Sequence, residues 1–144
     1  MAEDSSSVKF LFDENLVRLG LAVRTLRTDT TYMGADDVQA QFPLGFLDRS
    51  WIPIAAALGW VVVTNDKSIR TRPVEAALGL AHGLKVVHIH KAGHLNTWSQ
   101  AVRLISRWHA IDAQIAAHPS GPWWLSMRKA TTTAMEFRPG EIER

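Results

Sequence analysis

The chain has 144 residues, a formal charge of +2, a pI near 9.3 and a hydrophobic fraction of 47%. That describes one domain large enough to bury a core, mildly basic and compatible with nucleic acid. Cysteine is absent, which excludes disulfides and thiolate metal sites and suits the cytoplasm; no apolar run approaches membrane-spanning length.

Residues 1–7 lack the basic and apolar regions of a signal peptide and read as a disordered lead. Val8 to Phe12 is a short apolar strand followed at once by Asp13-Glu14-Asn15. Leu16 to Leu26 carries apolar residues near helical spacing, with Asp13 or Asn15 as its N-cap. Thr28 to Met33 has strand composition, and the stretch from Gly34 to Gly45 has no clear assignment. A helix follows to Leu58. Pro53 belongs in a first turn, so the start is expected near Ser50, with Asp48 at its positive edge.

Trp60 to Thr64 is a β-branched run of the kind buried on both faces of a parallel sheet. It ends in Asn65-Asp66 and the bases Lys67, Arg70 and Arg72. Pro73 opens a helix with Glu75 in its first turn and Gly83 as its stop. Leu84 to Ile89 is the next strand. Thr97 to Gln100 has a capping-box pattern, with one long helix behind it that carries Ala101, Leu104, Ile105, Trp108, Ile111 and Ile115 on one face. After the break at Pro119 to Pro122, Trp123–Ser126 and Thr131–Phe137 are two late strands or a docked arm, and a polar tail opening at Arg138 should fray. The expected organisation is a lead (1–7), a domain (8–118) and a C-terminal extension (119–144) packed on or beside it. Alternating strands and helices predict a three-layer α/β/α fold with a mostly parallel sheet.

Asp13, Asp48 and Asp66 occupy comparable places, at strand ends or a helix start. Right-handed crossovers bring such ends to one sheet edge. Gathered carboxylates raise each other's pKa unless a cation neutralises them, and Mg²⁺ or Mn²⁺ is the ordinary ion for all-oxygen donors. Lys67, Arg70 and Arg72 suit flanking phosphates, although each taken singly is equally a solvated base.

Phe12-Asp13-Glu14-Asn15, Asp48 with Trp51 to Ala57 behind it, and Val63-Thr64-Asn65-Asp66 together resemble the PIN-like domain superfamily. Within it they look most like the VapC-type toxin ribonucleases of toxin–antitoxin pairs. The resemblance runs from about Val8 to Ile89. It implies a Mg²⁺- or Mn²⁺-dependent endoribonuclease that hydrolyses RNA with a metal-activated water, a cognate antitoxin protein, and a homodimer. Asp13, Asp48 and Asp66 would be the catalytic metal-binding carboxylates, and Thr64 and Asn65 would shape the turn that presents Asp66, with Asn65 touching substrate. The family's further acid has no clear counterpart; Asp36, Asp37 and Glu14 are the contenders.

Two other readings stand beside this one: a catalytically weak PIN-like module that binds nucleic acid or protein, and another metal-dependent phosphohydrolase. His88, His90 and His94 could ligate a transition metal, but their alternation fits an exposed strand face better. Trp51, Trp60 and the Trp123-Trp124 pair read as core before they read as stacking platforms or a partner arm. Walker and GxGxxG phosphate loops are absent.

Overall fold

The computed structural model describes residues 9–142, so the expected disordered lead at 1–7 lies outside the described residues. Six strands form one sheet: β1 (Phe10–Phe12), β2 (Thr30–Tyr32), β3 (Val61–Thr64), β4 (Lys85–Ile89), β5 (Trp123–Met127) and β6 (Thr132–Met135). Their order is β2-β1-β3-β4-β5-β6, parallel throughout except for antiparallel β6. Five α-helices flank them: α1 (Val17–Leu26), α2 (Asp48–Leu58), α3 (Pro73–His82), α4 (Thr97–Ser106) and α5 (Trp108–Ala117). This is the expected three-layer α/β/α fold.

Consecutive residues of each central strand feed opposite cores, which is why the strands read as unbroken apolar runs. Phe10, Phe12, Val61, Val63, Val87 and Leu125 pack with Leu19, Val23, Leu104 and Ile111 of α1, α4 and α5. Leu11, Val62, Val86 and Trp124 pack with Trp51, Ile52, Ala55 and Ala76 of α2 and α3. Truncating a fully buried Leu or Ile here to Ala would cost about 2–5 kcal/mol. The unassigned stretch after β2 folds irregularly over the second core, placing Met33, Val38 and Phe42 in it, with the Gly34 amide donating to the Phe42 carbonyl at 2.8 Å.

Local expectations change in four places. Helix α2 begins at Asp48, two residues before the expected start, because the buried Trp51 indole N–H donates to Asp48 Oδ1 at 2.9 Å and closes the first turn. Pro53 therefore sits in the second turn, and the Arg49 carbonyl it leaves unbonded belongs to an exposed residue. The long helix is two helices. Arg107 leaves helical geometry between them (φ −113°, ψ 15°), and its guanidinium donates to the carbonyls of Arg128, Lys129 and Thr131, tying the helix pair to the β5–β6 turn. The cap of α4 is Asn96 rather than Thr97, its Oδ1 accepting from the Ser99 amide at 2.8 Å.

The fourth change concerns the carboxyl end. Trp123 to Met127 is an internal strand with parallel pairing to β4, and β6 closes the edge. The tail expected to fray is held down instead: the Arg138 amide donates to the Arg70 carbonyl at 2.9 Å and the Gly140 amide to the Thr71 carbonyl at 2.7 Å. Phe137 lies edge-on to Trp124, with ring centroids 5.6 Å apart. It reaches that place because residue 79 is glycine; a Cβ there would stand 2.7 Å from the Phe137 ring. Gly83 ends α3 in the left-handed region (φ 76°) and turns the chain into β4.

Candidate active site

The carboxyl ends of β1 and β3 lie side by side, and polar residues begin where the buried strands stop. The Asp13 amide donates to the Val63 carbonyl at 2.9 Å, which seats Asp13 against β3. Its carboxylate is 5% exposed. Oδ1 accepts from the Glu14 amide at 2.8 Å, capping the single 3₁₀ turn Glu14–Leu16 that precedes α1, and Oδ2 accepts from the Thr64 hydroxyl at 2.8 Å. Asp13 is thus both a cap and a member of the acidic group. Thr64, fully buried, also accepts from the Asp66 amide at 3.0 Å, so one hydroxyl positions two acids. Asp66 Oδ1 in turn accepts from the Ser68 amide at 3.0 Å.

Burial pushes the Asp13 carboxyl up from 3.8 to about 6, against the lowering effect of its hydrogen bonds, and the negative charges of Asp48 and Asp66 add to the rise. Asp48 is also raised, first by burial; the charges of Asp66 and Glu75 raise it further, while the Trp51 hydrogen bond and Arg72 oppose the shift. The three acids therefore sense one another across two strands and a helix. Glu75 joins them from the first turn of α3. Its position near a helix N-terminus explains it locally in the sequence, and nothing in its neighbours marks it as lying beside Asp48.

Arg72 stands at the rim of this group. Its guanidinium lies 3.4 Å from Asp48, 3.8 Å from Asp66 and 3.5 Å from Glu75. The Glu75 contact is within ion-pair distance but lacks hydrogen-bond geometry, leaving Oε2 buried without a hydrogen bond. Among the described residues no three carboxylates or histidines stand close enough to share one ion. The donor set is all oxygen, and its charge is answered in part by Arg72, which reaches Asp48, Asp66 and Glu75. That suits a Mg²⁺-like ion, which keeps several waters and takes only one or two carboxylates from the protein.

The remaining residues singled out in the sequence divide between this site and other places. Glu14 is exposed and accepts from the Gly45 amide at 3.0 Å, bracing the irregular stretch before α2. Asp36 is exposed. Asp37 accepts from Arg24 at 3.1 Å and from Thr31 at 3.0 Å beside β2, and is not gathered with the other acids. Asn65 and Lys67 line a cavity of about 550 Å³ with Asp66. Arg70, expected beside substrate, is 5% exposed and turned to the carboxyl-terminal tail, donating to the Glu136 carbonyl and to Glu141. Arg72 is exposed and lies across the rim of the acids.

His88, expected on an exposed face, is 3% exposed. Its Nδ1 lies 3.2 Å from the Ser126 hydroxyl, and burial lowers its pKa to about 4, so the ring is neutral near pH 7. Trp51 and Trp124 are core, Trp60 packs 5.7 Å from Phe42, and Asp112 is exposed. No helix among the described residues is long and apolar enough to cross a membrane.

Comparison with known proteins bears on this arrangement. No curated protein and no solved structure matches the chain. A family model described as a PIN like domain matches residues 8–91, more than half of the chain, and spans β1 to β4 with Asp13, Asp48, Asp66 and Glu75. PIN-like domains have a nuclease-type fold. With its strand-end acids carried on a parallel sheet, the chain belongs to the PIN-like domain family.

Proposed function

We propose that this protein is a metal-dependent endoribonuclease, the VapC-type toxin of a toxin–antitoxin pair, acting on RNA in the cytoplasm. The observation that carries the reading is the gathering of three acids at one sheet edge: Asp13 shares the Thr64 hydroxyl with the Asp66 amide, and Asp66 shares the Arg72 guanidinium with Asp48, while burial pushes Asp13 to about 6. Perturbed carboxylates at one sheet edge mark a functional site more often than a structural one. Asp13, Asp48 and Asp66 would supply the carboxylates for Mg²⁺ or Mn²⁺, one or two to an ion with water completing its shell, and Glu75 would be the further acid. Bound there, the ion would lower the pKa of a water and steady charge on phosphate oxygens.

The chain's own contribution is to orient. Thr64 holds the Asp13 carboxylate and the Asp66 backbone amide on one hydroxyl, the Ser68 amide holds the Asp66 carboxylate, Trp51 fixes Asp48, and the apolar layers beneath keep their supports rigid. Asn65 lies in the cavity that opens on Asp66 and is placed to touch the strand. Arg72 neutralises part of the acidic charge when no other cation is present, and would turn toward a phosphate as that charge is taken up. A cognate antitoxin would cover this same edge, and a basic side chain inserted there would compete for the same carboxylates. A homodimer accompanies this reading.

A second reading, a PIN-like binding module without catalysis, is favoured by Arg72 itself, which already occupies the rim of the acids. One experiment separates the two. Mn²⁺ binding is measured by calorimetry, and cleavage of total cellular RNA is followed with and without EDTA, for wild type and Asp66→Asn. The nuclease reading expects wild type to bind the ion and cut, and the folded variant to do neither. Wild type that takes no ion and leaves RNA intact gives the place to the binding module.

A further inference from the structure

Beyond the acids, the same sheet edge continues into a cavity of about 290 Å³ at the ends of β4 and β5. Lys67, His90, Lys91 and Arg128 stand in its walls, with Trp124 and Ser126 also among its lining. No aspartate or glutamate lines it. Among the described residues, no carboxylate pairs with Lys67, Lys91 or Arg128; the Arg128 guanidinium has only the Met135 sulfur, at 3.7 Å. Arg70 in the same wall makes the contrast, since Glu141 lies 3.0 Å from it.

The positive charge is concentrated. His90 is lowered first by burial and then by Arg128, Lys91, Lys67 and Arg103, so four cations converge on one ring. Lys67 and Lys91 are exposed and Arg128 is half-buried; like charges gathered around one cavity without a counter-charge repel one another and favour an anion between them. Buried His88 also lines the cavity, and its Nε2 has no hydrogen bond. Lys67, His88, His90 and Lys91 line both this cavity and the 550 Å³ one that contains Asp66, so the two are contiguous.

We propose that the base-lined cavity is a phosphate subsite for the polynucleotide strand, with Lys67, His90, Lys91 and Arg128 as its contacts. The proposal rests on the nuclease reading for the identity of the strand. It replaces Arg70 and Arg72, the bases nearest Asp66 in sequence after Lys67, with bases supplied by the ends of β4 and β5. The sharing of walls between the two cavities lets one strand place a phosphate at the acids and another among the bases. Neither group neutralises the other: the cation within ion-pair distance of Asp66 is Arg72, not the adjacent Lys67.

The test works without metal. Binding of a fluorescein-labelled single-stranded oligouridylate with a 5′-hydroxyl is followed by anisotropy in EDTA, over a range of salt. The Lys91→Gln/Arg128→Gln pair should weaken binding and lower the slope of log K against log salt by about 1.4, at roughly 0.7 for each phosphate contact on a single strand. Lys129→Gln, an exposed base outside the cavity, should leave the slope unchanged. The two single variants, each expected to remove about half of the effect, serve if the pair fails to fold.

Repeating the titration with a 5′-phosphorylated strand identifies the source of the phosphate. Tighter binding that the double variant abolishes assigns the cavity to a strand end, and equal binding assigns it to an internal phosphodiester. A folded double variant with the wild-type affinity and slope overturns the proposal. If RNA is still cut in that case, the nuclease reading survives and the subsite does not. A lowered slope with no cleavage under any divalent ion leaves the subsite standing and removes the nuclease.

Discussion

One edge of the sheet carries two polar regions of opposite kind. Around the ends of β1 and β3, Asp13, Asp48, Asp66 and Glu75 crowd together and are answered by a basic side chain of the same chain, Arg72. Around the ends of β4 and β5, Lys67, His90, Lys91 and Arg128 crowd together with no carboxylate in the cavity they line. The acidic half carries its own counter-charge; the basic half does not. On the proposed reading the acidic half exchanges one cation for another, and the basic half receives an anion from outside. The buried supports differ as well. Asp13 and Asp66 share one buried hydroxyl, Thr64, while Lys67, Lys91 and Arg128 stand on separate elements with no common support among the described residues.

That contrast can be broken in order of expected effect. Thr64→Val removes the hydroxyl that positions both Asp13 and Asp66 while keeping the β-branched shape. By analogy with residues that orient metal ligands, it should lower Mn²⁺ affinity and any metal-dependent cleavage by roughly 10- to 100-fold, read by calorimetry and by a cleavage time course. Loss of a single base from the other cavity should move the salt slope and leave Mn²⁺ affinity alone.

Asp13→Asn sharpens the comparison through stability. The folded chain holds the Asp13 proton up to about pH 6, whereas its ordinary value is 3.8. Between those values the folded state binds more protons than the unfolded one. Asp13's contribution is therefore fully present below 3.8 and is lost as pH rises through 6. In EDTA the asparagine variant should be more stable than wild type above that range by up to about 3 kcal/mol, at 1.36 kcal/mol per unit, and no more stable below it. Urea unfolding at two pH values measures this. Equal stability at both would show that the folded chain does not hold the Asp13 proton above its ordinary value.

The smallest effect is expected from Arg72→Gln. This side chain is 46% exposed, so solvent screens it, and pairs of that kind contribute roughly 0.2–1 kcal/mol. Its removal should tighten Mn²⁺ binding by up to about fivefold in low salt, and by less as salt rises. Weaker binding in this variant would mean that Arg72 organises the acids rather than competing for them.

The sequence by itself determined the alternation of strands and helices, the parallel sheet and the three aspartates. Each of these is written in local pattern: β-branched runs buried on both faces, a proline at a helix start, acids directly after strands. Glu75 was not legible as a member of the site because its neighbours explain it as a first-turn acid, and only the packing of α3 beside α2 brings it to Asp48. The basic cavity was hidden for a related reason. Lys67, Lys91 and Arg128 are separated by long stretches of chain, and they meet because β5 pairs in parallel with β4, a long-range register that no local periodicity encodes. Arg70 and Arg72 are two residues apart, yet one turns to the carboxyl-terminal tail and the other to the acids. Where charged side chains of one short segment point is decided by which partners the rest of the fold delivers. That is a property of tertiary structure.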